Sequence, residues 1–298
     1  MLRRWLLPLG LLAVLPAFGE ELFLWETENE QSKVYLLGSI HMAKPDFYPL
    51  PEPIQDAFAE SDSLVVEIDL SPEAEAEIGV MALAAGIYGD GRRLSEELSP
   101  ETLDLFQSYL EERGLPVVMF DSMRPWMAAQ AVTIAEMTRL GFDPALGVDR
   151  HFMDRARNAG KSIIPLETPE FQINLLSGFN DELQEMFLLY TLKDMSRTSE
   201  MIDSLIKAWN SGDTAAMEEI MLPAEAMEDE FAAPVYEKLF FDRNRNMAEK
   251  IRGMMAAGGT YFVVVGAGHM VGEEGLVSLL RRDYTVTQAV AAEAAIAQ

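Results

Sequence analysis

Two of the three histidines in this chain close the same kind of segment at opposite ends of the sequence. Leu36-Leu37-Gly38-Ser39-Ile40-His41 and Val264-Val265-Gly266-Ala267-Gly268-His269 each run from an apolar stretch into Gly-x-x-His. Apolar runs this short and this rich in β-branched residues read as buried strands. A glycine at the strand end lets the backbone turn sharply and bring an imidazole back over the sheet edge. In sheets built from alternating strands and helices, ligands bind beyond the carboxyl ends of the strands. A third run, Leu64-Val65-Val66-Glu67-Ile68, carries an acid inside apolar surroundings, which is costly unless the acid is paired or bound to a cation. If these three segments serve one purpose, the ends of strands 34–39, 63–68 and 260–265 must converge.

The remaining pattern supplies the framework for that convergence. Leu22–Trp25 and Val34–Ser39 read as a hairpin, and Pro53–Glu60 as a short amphipathic helix. Ser71-Pro72 and Ser99-Pro100 start helices, the second ending near Gly114. Pro125–Leu140 and Gly147–Asn158 follow, with Gly160 as a helix stop. Lys161–Leu166 returns to strand. Asp181 to Trp209 reads as one long amphipathic helix, and Asp213–Met221 and Pro234–Ala257 as further helices. Thr260–Val265 is the most strand-like run, followed by a helix over Glu273–Arg281 and a closing strand over Tyr284–Gln288. The expected fold class is α/β. A mostly parallel or mixed central sheet carries helices on both faces, with a large helical insertion, about 72–257, in the middle of the chain.

Residues 1–19 have a different texture. Arg3 and Arg4 precede a short apolar run broken by Pro8 and Pro16, with small residues Ala17 and Gly19 before a cleavage point. This is the pattern of a secretory signal peptide, leaving residues 20–298 as one domain, secreted or periplasmic, with no stable membrane insertion after cleavage. The net charge of −26 argues against nucleic acid as a partner. Cysteine is absent, which removes thiolate ligands, thiol nucleophiles and disulfides together.

Neutral imidazole is the commonest side-chain metal ligand near pH 7. His41, His269 and Glu67 make a plausible set of ligands for a divalent ion with positions left open. Each histidine could instead be a strand-end residue satisfied by hydrogen bonds. Glu167, at the end of Lys161–Leu166, could be a general base or a further ligand. Arg243 offers a planar fork of donors that could stabilise an oxyanion, and Asn244 could orient substrate or Arg243. Asp149 reads as a local cap or pair, and Arg124 as a partner for one of the acids. His151 lies in a helical context and is not expected to be a ligand. The 18 methionines form no tight cluster and read as core filler rather than a copper site.

Taken in order, these stretches resemble the TraB/GumN family, which includes the Tiki proteins. Leu36–Met42, Gly147-Val148-Asp149, Leu166-Glu167-Thr168, Asp242-Arg243-Asn244 and Val263–Leu276 all match its signatures. The resemblance implies a fold like that of erythromycin esterase and ChaN. It also implies a metalloprotease activity using manganese or cobalt through the two Gly-x-x-His motifs and an acid. The function expected is an exported metal-dependent hydrolase, a peptidase using a divalent ion (manganese, cobalt or zinc) on a peptide or small-molecule substrate. An esterase on the same scaffold, or a haem- or ligand-binding protein without turnover, is the alternative. A non-haem iron oxygenase has the same donor set but no visible cosubstrate site.

Overall fold

The computed structural model describes residues 20–291, so the expected signal peptide lies outside the described residues. Six strands form one sheet: β1 (Glu21–Glu28), β2 (Ser32–Ser39), β3 (Ser63–Val66), β4 (Ser162–Pro165), β5 (Gly259–Gly266) and β6 (Thr287–Val290). Their spatial order is β4-β3-β5-β2-β1-β6. The expected hairpin is present, with Leu24 opposite Leu37 in an antiparallel β1–β2 pair. β6 pairs antiparallel with the other side of β1, while β2–β5, β5–β3 and β3–β4 are parallel. The sheet is therefore mixed, with a parallel block of β4, β3, β5 and β2. All four strands of that block end on the same side. The ends of β2, β3 and β5 converge there.

Helices cover both faces. On one, Phe262 of β5 meets Phe58 from the helix Glu52–Glu60 and Phe152 from the helix Val148–Ala159. On the other, the helix Asp242–Ala257 contacts β2 and β5. This is the side that a right-handed crossover from β4 back to β5 requires. The helix-rich middle has a second cluster of its own, in which Phe106, Leu110, Val132, Leu188 and Leu192 pack away from the sheet.

Helix starts follow the sequence closely. Ser71 Oγ accepts from Ala74 N and Ser99 Oγ from Thr102 N, each followed by proline in the first turn. Gly114 and Gly160 end their helices in the left-handed conformation. Four expectations change. Asp181–Trp209 is two helices, Asp181–Asp194 and Thr198–Asn210, joined by a 3₁₀ turn. The first half feeds Leu188 and Leu192 to the helical cluster and the second feeds Ala208 and Trp209 to the sheet core, and one straight helix cannot serve both. Pro234–Ala257 is interrupted by a π-helical segment, Glu237–Phe241. The helix expected over Glu273–Arg281 covers only Leu276–Leu280, because Gly272 takes a positive φ and the Glu274 carbonyl is bonded to the Asn244 side chain. The last strand lies at Thr287–Val290 rather than Tyr284–Gln288, where it pairs with β1. Among the described residues, no helix is long and apolar enough to cross a membrane.

Candidate functional site

The site is built where β2, β3 and β5 end. Gly38 sits so close to the ring of Phe23 that a Cβ there would lie 2.5 Å from it, closer than a real Cβ contact allows. The Trp209 indole donates to Gly38 O at 2.6 Å, and Val148 N donates to Ile40 O at 2.9 Å. These contacts fix the path of the chain into His41. Gly266, the Cα partner of Ser39 in the parallel ladder, is bare for another reason. A Cβ on it would stand 3.1 Å from His41 Nε2, 3.3 Å from Glu67 Oε1 and 3.6 Å from His269 Cδ2. The two histidines and the acid thus surround one point, and glycine leaves that point open.

Glu67 lies just past β3 and is buried. Its Oε1 accepts from Gly266 N at 2.6 Å and its Oε2 from Arg243 Nη2 at 2.5 Å. Burial opposes its ionisation, but the two histidines, Arg243 and the Gly266 amide outweigh it and hold the carboxyl well below the usual range. His269 Nε2 stands 3.8 Å from Glu67 Oε1. Burial lowers the His269 pKa to about 4 against the pull of Glu67. The ring is therefore neutral near pH 7, and the charge on Glu67 is then held by Arg243, His41 and the amide.

The tautomer of His269 follows from its neighbour. Asn244 Nδ2 donates to Glu274 O at 2.8 Å, which orients the amide and leaves Oδ1 to accept from His269 Nδ1 at 2.6 Å. The proton sits on Nδ1, and Nε2 presents a bare lone pair towards Glu67. This is how ligating histidines are commonly oriented. His41 is arranged in parallel: Nδ1 meets Asp149 Oδ1 at 3.3 Å and Nε2 faces the same point over Gly266. Its side chain is 60 % exposed. Surrounding protein disfavours its charge, but Asp149 and then Glu67 raise its pKa to about 9.

Arg243 follows the π-helical segment and is buried. It grips Glu167 with two parallel bonds, Nε to Oε1 at 2.7 Å and Nη2 to Oε2 at 2.8 Å. Its Nη2 also reaches Glu67, and its Nη1 donates to Leu239 O at 3.1 Å. Four of its five N–H groups point at these partners, so its main work is to hold two carboxylates side by side, and one Nη1–H is left over. Glu167 is positioned by backbone pairing that runs past β3 and β4, Glu167 N donating to Glu67 O at 2.7 Å. Its Oε2 also accepts from Gln172 Nε2 at 2.9 Å. Gln172, on the helix Pro169–Ser177, reaches Glu67 Oε2 at 3.5 Å.

His41, Glu67, His269, Glu167, Arg243 and Asn244 therefore lie in one cluster. Asn244 touches His269, not Arg243. Asp149, read as a local cap, pairs instead with His41 across the fold. Nothing in the local pattern marked Gln172. Arg124 lies over the Tyr88 ring rather than beside a site acid. His151 packs between Tyr48 and Phe152, away from the cluster. A pocket of about 250 Å³ opens over the site, lined by His41, Glu67, Asp149, Arg150, Met153 and Gln172 among others. Among the described residues, no three His, Asp or Glu side chains are drawn in to ion-holding distances.

The TraB/PrgY/gumN family model matches residues 23–288. The uncharacterized protein YbaP of Escherichia coli (strain K12) is 28% identical over 247 residues, which cover 83% of this chain and 87% of YbaP. YbaP of Shigella flexneri gives the same figures. An uncharacterized protein of Treponema pallidum (strain Nichols) is 23% identical over 287 residues, 92% of this chain and 84% of its own length. No solved structure matches significantly. The match runs from within β1 to within β6 and includes every residue of the cluster, and the chain belongs to the TraB/PrgY/gumN family.

Proposed function

We propose that the protein is an exported metal-dependent hydrolase acting on peptide bonds at the cluster around Gly266. One observation carries this reading: His41 Nε2, Glu67 Oε1 and the His269 ring lie within 3.6 Å of a single point, and Asn244 leaves the inward nitrogen of His269 unprotonated. Two imidazoles and a carboxylate fit a divalent cation by donor chemistry, provided that His41, whose proton Asp149 and Glu67 favour, gives up that proton as the ion binds. His41, Glu67 and His269 would hold it. A manganese, cobalt or zinc ion there supplies Lewis-acid chemistry, polarising a carbonyl and making water more acidic. The chain's own groups do the rest. Asp149 and Asn244 orient the imidazoles. Arg243 fixes the spacing of Glu67 and Glu167. Glu167, as the second acid of the cluster, takes up the proton. The pocket admits a side chain or two of substrate. Export rests on the pattern of residues 1–19, and the same cluster could cleave an ester.

The test combines metal analysis, a haem absorbance spectrum and turnover on one preparation. Purified protein is assayed for bound metal and haem, then with a mixed-peptide library and an aryl ester. The expected result is one divalent metal per chain, no haem band, and peptide cleavage lost in His41→Ala. A haem band without turnover would replace the hydrolase with a ligand-binding protein. Ester cleavage alone would move the substrate class.

A further inference from the structure

Among the described residues, four buried side-chain polar atoms lack a hydrogen-bond partner: Thr27 Oγ1, Ser39 Oγ, Trp126 Nε1 and Gln184 Oε1. Ser39 differs from the others in its place. It is the last residue of β2, it is only 2 % exposed, and its Cα partner is Gly266. Residues paired across a parallel ladder project to the same face of the sheet, and that face alternates along each strand. Tyr35 pairs with Phe262, Leu37 with Val264 and Ser39 with Gly266. Phe262 packs on Phe58, and the Tyr35 hydroxyl donates to Glu60 on the same helix as Phe58. Val264 lines the pocket. The Ser39 hydroxyl therefore projects to the pocket face, beside the point that His41 Nε2, Glu67 Oε1 and His269 surround.

A buried hydroxyl with no partner is destabilising, because it gives up its hydrogen bonds to water and gains none. Alanine would fit the same backbone without that cost, so packing does not account for serine here. Ser39 has one donor and two lone pairs to offer. Nearby stand acceptors needing a donor: the bare Nε2 of His269 and the second lone pair of Glu67 Oε1. Without an ion, a solvent oxygen at this strand end can donate to those and accept from Ser39, giving the two to four bonds that a buried water needs; with His269 and Glu67 holding an ion, an oxygen in the same place would still accept from Ser39.

We infer that Ser39 is a positioning residue, whose hydroxyl donates a hydrogen bond to a solvent oxygen held at the ends of β2 and β5 and fixes where its lone pair points. This deepens the hydrolase reading: the role in turnover rests on it, because the oxygen so held is the one that would attack the substrate. The hydrogen bond itself does not depend on that reading.

Crystal structures of the wild type and of Ser39→Ala, each soaked with Mn²⁺, test it. The expected wild-type structure has an ordered solvent oxygen within about 3.2 Å of Ser39 Oγ, and Ser39→Ala loses or displaces it. A wild-type structure in which Ser39 Oγ meets only protein atoms, or none, overturns the inference. If that oxygen is present and no Mn²⁺ is bound, the Ser39 assignment stands and the metal reading falls. Turnover of the peptide library gives the second readout. Ser39→Ala should melt no lower than wild type, since it removes an unpaired hydroxyl. Its kcat should fall roughly 10–100-fold with KM unchanged, on the scale of a lost orienting contact, and Ser39→Thr, which keeps the hydroxyl, should recover most of it. Wild-type kcat in Ser39→Ala would overturn the positioning role.

Discussion

The Asn244 side chain can be oriented in only one way, because its Nδ2 must donate to the Glu274 carbonyl. That one bond decides the tautomer of His269 and hence which nitrogen faces the site. Asn244→Ala should release the constraint. We expect the ¹⁵N–¹H correlations of the His269 ring to change from a single Nδ1–H tautomer to a mixture. Stability should fall by about 1–3 kcal/mol, the cost of leaving buried groups unpaired. An unchanged ring spectrum would remove Asn244 from the site. Arg243 has the opposite character, since it is held by its partners as firmly as it holds them. Arg243→Met would leave Glu67 and Glu167 as adjacent buried acids without their cation. A loss of about 3–5 kcal/mol in urea denaturation is expected for a broken buried pair of this kind. Arg243→Lys should recover part of that, because lysine keeps the charge but cannot bind Glu167 with two parallel bonds. The sequence pointed to all three residues of the candidate ion site, since buried strand ends and Gly-x-x-His are local patterns. The partners Asp149 and Gln172 come from other helices, and their contacts exist only once the fold has formed.

Elements were legible where one local force decides them. β1, β2 and β5 declare themselves by apolar runs, and the proline-led helices by their serine caps. Elements were misjudged where distant packing decides. The helix expected over 181–209 breaks because its halves belong to different cores. The one expected over 234–257 passes through a π-helical segment just before Arg243. Such segments re-aim side chains and are frequent at functional sites, and here Leu239 within it accepts from Arg243. The β1–β2 hairpin also carries a test. Gly38→Ala would drive a methyl into the Phe23 ring, which lies 2.5 Å from the Cβ position. We expect overpacking to cost about 1–3 kcal/mol, and Phe23→Leu in the Gly38→Ala background to return part of it. Full additivity of the two changes in thermal melts would argue against that contact.

At the scale of the whole molecule, two packed clusters and a net charge of −26 set the response to solution conditions. Among the acids is Glu136, buried in the helical part with Arg139 and Arg113 beside it. The Arg139 hydrogen bonds, followed by those of Arg113, outweigh burial and lower its pKa to about 2 from an ordinary 4.5. A carboxyl depressed in the folded state stabilises the protein above its unfolded pKa and ceases to do so as pH falls through its folded pKa. Glu136→Gln should therefore be less stable than wild type at pH 7, by about 1–3 kcal/mol. The difference should shrink between about pH 5 and pH 2, as read from urea denaturation at several pH values. A difference that does not change with pH would contradict the assignment.

β2, β3 and β5 bring His41, Glu67 and His269 together, and under the proposed function these three hold one divalent ion. Calorimetric titration of Mn²⁺ into metal-free wild type, His41→Ala and Glu67→Gln tests that role. His41 is the cleanest probe, because its side chain is 60 % exposed and its removal should leave thermal melting almost unchanged. His269, buried and bonded to Asn244, would confound binding with folding. One Mn²⁺ is expected per wild-type chain, with binding lost or weakened at least about 10–100-fold in both variants. Equal Mn²⁺ binding by wild type and both variants, or none by a folded wild type, would contradict it.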